Sequence, residues 1–499
     1  MKFFKPLYRY YFTHVSRTWR SVALNSPTLW RDLPSSIPWA REMLERSKPV
    51  GLGIQLTLSY SDSSSPRVLF WKDVLCNHAA RIRELELTDV SKSTSLVLLG
   101  DLQPSSLSLH SLQICQSTQQ DNPTFPTAAM QAHQLRSLSV KGYEGAWYSL
   151  PLSCLTNLKI HNIHSRPRLD DFIKTLQANP HLQTIDIEDS LPSAFEAMGS
   201  TASVNLPRLG ILRLSSTRNP KEVSNILSCI AVPSTATLEI KCRNRDSAQN
   251  DQEALIELAS SLSLFFSAMS KSANHDVSYE DVHLVATDSH LRLSAWECCT
   301  HWSGIRPQNW NLYLAIELRT RQSAQEMLGE IFPALPLLSI KSLTLELDDA
   351  NILAKKSLRN LSCLQNVNLI GNCTFGFMTA LVDKPQDYHS QSSAYYSVSF
   401  PKLRTLCITA TSCGPDGVCP IDYLCDCLME RYERRAELTK LTIQECYGVE
   451  YDDVKLLKEI VVDVEWDGLE ISTGGRETRR RTLDSEFEPY YFFLKLFTP

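Results

Sequence analysis

Glycine is scarce in this chain, at 17 of 499 residues, about half the usual share of roughly 7%. That scarcity argues against chemistry built on glycine-rich loops that cradle phosphates. The strings H-E-x-x-H, G-x-x-x-x-G-K-[ST] and G-x-S-x-G are all missing, which excludes the common zinc-protease, P-loop and serine-hydrolase readings. Long apolar runs are also missing. The most apolar stretch, Leu258–Met269, has 12 residues with four serines among them, whereas a bilayer span needs about 20. The opening MKFFKPLYRYYF is basic and aromatic, and its charges interrupt it before an apolar core of about 7–15 residues forms. Neither charge sign dominates. A net charge of −5 opposes bulk attraction to nucleic acid or an anionic membrane. The 15 cysteines are odd in number and scattered. The expectation is reduced thiols in a cytoplasmic or nuclear protein with no membrane or nucleic-acid partner.

What the chain does have is apolar material, 43% of its residues, enough for a large core, and a recurring pattern. Apolar-x-x-apolar-x-apolar appears as IRELEL (82–87), LHSLQI (109–114), LRSLSV (135–140), LTNLKI (155–160), LQTIDI (182–187), LGILRL (209–214) and TATLEI (235–240). It returns as IKSLTL (340–345), LQNVNL (364–369), LRTLCI (403–408) and LTKLTI (438–443). The middle apolar residues Leu85, Leu112, Leu138, Leu158, Ile185, Leu212 and Leu238 are spaced 27, 26, 20, 27, 27 and 26. The later ones, Leu343, Val367, Leu406 and Leu441, are spaced 24, 39 and 35, which implies insertions.

Each L-x-L predicts a short strand with one buried face. Between strands, several segments have helical periodicity. LDDFIKTLQANP (169–180) puts Leu169, Phe172, Ile173 and Leu176 on one side before a proline; KEVSNILSCI (221–230) and IDYLCDCLMERYERRA (421–436) do likewise. A strand, a return helix and another strand in about 26 residues predict a parallel sheet, and a unit that cannot bury its apolar side alone must stack. The pattern is similar to the leucine-rich repeat, well over 80–245 and loosely over 340–445. The family's Asn or Cys, three residues after the last strand leucine, is replaced by Val90, Ser117, Tyr143, Ile163, Ser190 and Thr217. The asparagine ladder of regular repeats is therefore expected to be missing, and the solenoid to be irregular and flatter. Residues 246–335 fit poorly, with an expected helix over 253–269, a weak strand at Val282–Ala286 and a clean strand in NWNLYLAIEL (309–318).

Near the N-terminus, Val15, Trp19, Val22 and Ala23 fall on one helical face, Asn25-Ser26-Pro27 stops the helix, and Leu29 and Trp30 can fold back on it. A plain reading is an end cap for the repeats. The string V-x-x-x-W-R-x-x-A-x-x-x-P-x-L-W resembles the second half of an F-box, in the form common among fungal F-box proteins with repeat domains. The junction that follows is similar too: a helix from Trp39 to Arg46, a turn at Ser47-Lys48-Pro49-Val50, and a first strand carrying Leu52, Ile54, Leu56 and Leu58. The family's opening Leu-Pro stretch and first helix have no match in residues 1–14, so the F-box is expected to be truncated. The resemblance implies a substrate receptor of a cullin-type (SCF) ubiquitin ligase, with a Skp adaptor and cullin as partners and a target protein held on the repeats. It assigns Val15, Trp19, Leu24, Pro27 and Trp30 to the remnant's core and adaptor surface.

The cysteines invite a metal reading. Cys413, Cys419, Cys425 and Cys427 form C-x5-C-x5-C-x-C, unlike the C-x2–4-C knuckles of zinc sites, and Cys298-Cys299-x-His301 pairs residues that point apart. No metal, cofactor or catalytic residue is expected, and a metal- or cysteine-dependent enzyme is the weakest alternative. Asp170-Asp171, Asp348-Asp349 and Asp452-Asp453 suit helix starts or strand ends. Arg476 and Arg479–Arg481 read as a solvated tail, and YYFFLKLF (490–497) as part of a C-terminal cap over about 450–499.

The expected fold is α/β: a short helical F-box remnant (1–38), then an irregular leucine-rich-repeat-like solenoid with a parallel sheet (39–499), degenerate or inserted over 246–335. Residues between the leucines face the open, concave side. They include Glu86, Gln113, Lys141, Lys159, His161, Asp186, Glu188, Arg213, Glu239, Lys241, Glu346 and Asn368. Their mixed charge points to a protein target. The main alternative is a repeat scaffold for protein–protein interaction with no ubiquitin role.

Overall fold

The computed structural model describes residues 16–58, 64–89, 92–100, 108–116, 134–143, 148, 152–163, 165–193, 203–243, 251–273, 278–287, 290–297, 311–317, 324–347, 358, 361–382, 399–414 and 417–470. The chain divides into two compact units, Met1–Val277 with Pro307–Thr320 and Ser278–Arg306 with Arg321–Pro499. Strands β1 (Asp32–Leu33), β2 (Leu52–Thr57), β3 (Ile82–Thr88), β4 (Ser111–Cys115), β5 (Ser137–Lys141), β6 (Asn157–His161), β7 (Thr184–Glu188), β8 (Val204–Asn205), β9 (Ile211–Ser216), β10 (Ile230–Ala231) and β11 (Thr237–Arg243) are followed by the second unit's β12 (Asp281–Ala286) and β13 (His290–Trp296). Then come β14 (Leu312–Glu317), β15 (Ser342–Leu347), β16 (Asn366–Ile370), β17 (Thr405–Thr409), β18 (Lys440–Gln444) and β19 (Asp463–Trp466).

In the first unit the sheet runs β1–β2–β3–β4–β5–β6–β7–β9–β11–β14 with every pair parallel. The spaced leucines stand in register, Leu85 beside Leu112, then Leu138, Leu158, Ile185, Leu212, Leu238 and Leu312. A second buried row holds Leu87, Ile114, Val140, Ile160, Ile187, Leu214, Ile240 and Leu314. Burial of each such side chain contributes about 1.5–3 kcal/mol. The return helices match their periodicity. Leu169–Gln177 buries Leu169, Phe172, Ile173 and Leu176. Pro220–Cys229, capped by Asn219, buries Val223, Ile226 and Leu227. Ile230, expected on that helix, instead starts β10, which pairs with β8. The helix Asp251–Ala273 is longer than expected. Its 252–270 segment is long and apolar enough to cross a membrane, yet Leu255, Leu258, Leu262, Phe265, Phe266 and Met269 are buried, and the helix packs against Pro220–Cys229.

Several strands lead into a common turn. Two residues past the last inward strand residue, the chain enters the left-handed region at Asp89, Gly142, Asn162 and Asp189 in the first unit and at Gly371, Ala410 and Glu445 in the second. Gly, Asn and Asp tolerate that conformation best. At Gly142 a Cβ would lie 2.8 Å from the Gln116 carbonyl oxygen, so a side chain there meets backbone. The turning N–H groups extend the ladder by one rung: Asn162 N–H donates to Glu188 O at 2.8 Å and Asp189 N–H to Ser215 O at 2.9 Å.

Where regular repeats carry an asparagine ladder, shorter side chains make backbone hydrogen bonds at the same position here. Ser190 Oγ accepts from Ile163 N–H at 2.9 Å. Thr411 Oγ1 donates to Gly371 O at 2.7 Å, and the Cys446 thiol to Ile408 O at 3.6 Å. Each reaches back to the preceding repeat. Asn179, on the return side, does the same work more fully. It accepts from Leu155 N–H at 2.9 Å and donates to Leu152 O and Thr175 O, both at 2.8 Å.

The second unit's sheet runs β13–β12–β15–β16–β17–β18–β19. Its inward row is Val282, Leu343, Val367, Leu406, Leu441 and Val464. One pair departs from the expected all-parallel sheet: β12 and β13 are antiparallel. The chain between them is too short to return to the starting end, so it closes as a hairpin, with Thr287 N–H on His290 O at 2.9 Å. At the far end, the region read as a cap contains a further repeat. The helix Tyr451–Ile460 begins in a Glu450/Asp453 capping box, and β19 adds to β18 in parallel. Residues 471–499, with the arginines and YYFFLKLF, lie outside the described residues, as do Val15, Val90, Ser117, Asp348, Asp349, Cys298, Cys299 and His301.

Candidate interaction surface

Outward side chains of the first unit form cross-strand rows because the register is unshifted from β3 to β14. One row is Glu86, Gln113, Ser139, Lys159, Asp186, Arg213, Glu239 and Tyr313; the row above holds Thr88, Cys115, Lys141, His161, Glu188, Ser215 and Lys241. All the expected face residues of this unit therefore share one surface. From β6 onward they pair across strands. His161 Nε2 bonds Asp186 Oδ1 at 3.0 Å, and its Nδ1 lies 3.6 Å from Glu188. Arg213 bridges Asp186 at 3.6 Å and Glu239 at 2.7 Å. Lys241 bonds Glu239 at 2.7 Å and sits 5.6 Å from the Tyr313 ring centroid. Burial opposes the Asp186 charge most strongly, but the His161 hydrogen bond and the fields of His161, Arg213 and Lys159 outweigh it and hold the carboxyl below its ordinary range. The pairings of Arg31 with Glu84 (2.6 Å) and of Arg243 with Glu317, together with Tyr313, went unforeseen. Counting every second residue outward from the strands finds Glu84, Arg243, Tyr313 and Glu317.

The second unit's face is chemically different. Thr344, Asn368, Cys407 and Thr442 stand side by side on β15–β18, with Asn366, Thr405 and Lys440 in the row below. Of the two expected residues here, Glu346 approaches His283 at 3.8 Å, and Asn368 has its Oδ1 buried without a hydrogen-bond donor. Charge pairs collect at the last strand, where Lys440 bonds Glu465 at 2.6 Å.

The N-terminal residues separate into two groups. Ser16 caps the helix Arg17–Leu24 by accepting from Trp19 N–H at 3.2 Å. That helix buries only Ala23. Trp30 folds back as expected, 2% exposed, its indole N–H on Ala23 O at 2.8 Å and the Arg46 guanidinium 4.7 Å from its ring. Trp30 is thus core, and Pro27 is half-buried at the start of a 3-10 turn. Trp19 and Leu24, assigned to core or adaptor surface, are exposed at 57% and 38%, and Val22, Leu29 and Trp39 are exposed as well. The junction follows as expected: a helix Ile37–Arg46 and β2 with Leu52, Ile54 and Leu56 buried.

The cysteines of the 413–427 string are all buried. Cys425 and Cys427 lie on the helix Ile421–Glu433, and Cys413 hydrogen-bonds Cys446, which raises the Cys413 thiol. Burial pushes Cys419 up to about 12. Among the described residues, no group of three or more His, Cys, Asp or Glu is arranged to hold a metal ion.

Register, turn and return helices together define a leucine-rich-repeat-like α/β fold in which units stack along a mostly parallel sheet. No family model matches the chain, and no curated protein does. Among solved structures, a leucine-rich-repeat protein of Leptospira interrogans is similar at 13% identity and a TM-score of 0.32, over 90% of this chain and 98% of that one.

Proposed function

We propose that this chain is a non-enzymatic interaction protein that recruits a target to a cullin-type ubiquitin ligase. The repeats hold the target on the open sheet face, and the N-terminal segment docks a Skp-type adaptor. The reading joins the F-box resemblance to one observation. The helix Arg17–Leu24 presents Trp19, Val22 and Leu24 to solvent instead of to the repeats. A helix serving only as an end cap would turn those side chains inward, whereas a docking element leaves them free for a partner. Trp19 and Val22, three residues apart, share one side of the helix, and exposed apolar side chains that adjoin mark interaction sites. Co-purification with a Skp-type adaptor tests the proposal. The full chain should retain the adaptor, and Trp19→Ala with Val22→Ala should lose it while the fold, followed by circular dichroism, is unchanged. No retention by the unaltered chain would retire the ligase role and leave a repeat scaffold for protein–protein interaction.

A further inference from the structure

The open face of the first unit is not uniform. From β6 to β14 its charges are matched across strands, as described above. Over β4 and β5 the floor is built of Ser111, Gln113 and Cys115 beside Ser137 and Ser139, mostly small side chains. Around that floor stand three exposed cations, Arg136 one residue before β5 at the rim, Lys141 at the strand's end, and Lys159 on β6. None of the three forms an ion pair within 4 Å of a described residue. The carboxylates on the β3 side are already engaged: Glu84 pairs with Arg31 at 2.6 Å, and Glu86 accepts from Gln113 at 3.3 Å. On the other side, Asp186 and Glu188 are held by His161 and Arg213. The lower edge also carries His110. It lies next to Arg83 and Arg136, and burial first, then those two guanidinium fields, hold its ring below the ordinary value.

Resting on the proposed role of the open face in target binding, we propose that its β4–β6 strip, with Arg136, Lys141 and Lys159 around a floor of serines, docks an extended acidic segment of a partner protein. The geometry suits one strand of peptide. Lys141 ends β5 on the open face, Lys159 lies one strand over, about 4.8 Å away, and Arg136 is exposed one residue before β5 begins, at the rim of the face and about 16 Å along the chain from Lys141 at 3.3 Å per residue. A short segment with carboxylates at that spacing meets all three cations, and the low floor admits its backbone. A long nucleic-acid backbone fits worse, because engaged carboxylates flank the strip on both sides and repel a continuous polyanion.

The test uses the full chain and a fluorescein-labelled 12-residue peptide of alternating glutamate and serine, followed by fluorescence anisotropy. The acidic peptide should bind, the lysine–serine counterpart should not, and added salt should weaken binding. Lys141→Glu with Lys159→Glu should weaken it by about tenfold or more, and Ser139→Trp, which fills the floor, should weaken it as well. Absence of binding, or equal binding of a 12-nucleotide oligothymidylate, overturns the inference. Binding that survives the charge reversal but is lost in Ser139→Trp overturns the acidic partner and keeps the open face as the platform. Binding indifferent to both substitutions removes the inference and the open-face reading together.

Discussion

The two units share one backbone scheme and present two different faces. In both, inward residues form an aliphatic row in register, and the turn after several strands is left-handed at the same position. In the first unit the outward positions carry alternating charges joined in pairs, from His161 through Asp186, Arg213 and Glu239 to Lys241. In the second, the middle of the face is neutral, with Thr344, Asn368, Cys407 and Thr442 abreast. Inward parity therefore decides the fold, and outward parity is left to decide what is bound. Substitutions should sort by parity first and by unit second.

The largest effects belong to the inward rows and should be alike in both units. Leu212→Ala and Leu406→Ala each remove a fully buried side chain and should cost about 2–5 kcal/mol in denaturant unfolding. Next come the buried polar clamps. Asn179→Leu strips partners from Leu155 N–H and Leu152 O in the first unit. Arg431→Leu strips them from Ser399 O and Phe400 O in the second, where the guanidinium bonds both at 2.7 and 3.1 Å and burial pushes it down to about 10. Each backbone group left bare should cost about 1–3 kcal/mol.

Smaller and confined to the first unit is a pH effect. Asp186 titrates below its unfolded value of 3.8, so its ionised form adds stability that is fully present above that value. The contribution is lost as pH falls through the lower folded value. Asp186→Asn should flatten the acid limb of the first unit's unfolding profile by about 1 kcal/mol or less, given the partly exposed partners, and leave the second unit's limb unchanged. The smallest effects should come from neutral outward positions. Asn366→Ser and Thr405→Ser should stay within about 0.5 kcal/mol, and a larger loss at either would break the parity rule.

Legibility in the sequence follows the range of the forces involved. The strands were readable because alternation is local, and the parallel order because the spacing near 26 residues leaves room for a return. The hairpin strand His290–Trp296 escaped because it breaks that spacing, although HLRLSAW alternates. Asn179 and Arg431 escaped because the backbone groups they satisfy lie 24 to 32 residues away, where no local pattern points. Thr411 and Cys446 were within reach. The rule of three residues past the last strand leucine, carried on to Ile408 and Ile443, lands on both. For the face, parity told which side chains point outward but not how they pair, so the unmatched strip at Arg136, Lys141 and Lys159 emerged only once the register was known. At the N-terminus the sequence put Trp19, Val22 and Ala23 on one covered face, whereas the structure covers only Ala23, under Trp30, and leaves Trp19 and Val22 exposed, because which part of a helix is covered depends on packing that no local pattern states.

The central claim is that the spaced leucines stack in parallel register and leave one side of the sheet open. Pulsed electron paramagnetic resonance between spin labels on unnatural amino acids at outward positions of the first unit tests it directly. With one label at Glu86 and the second moved to Asp186, Arg213 and Glu239 in turn, the account predicts a distance that grows at each move by about one strand spacing of 4.8 Å. Distances that do not rise in that order would contradict it.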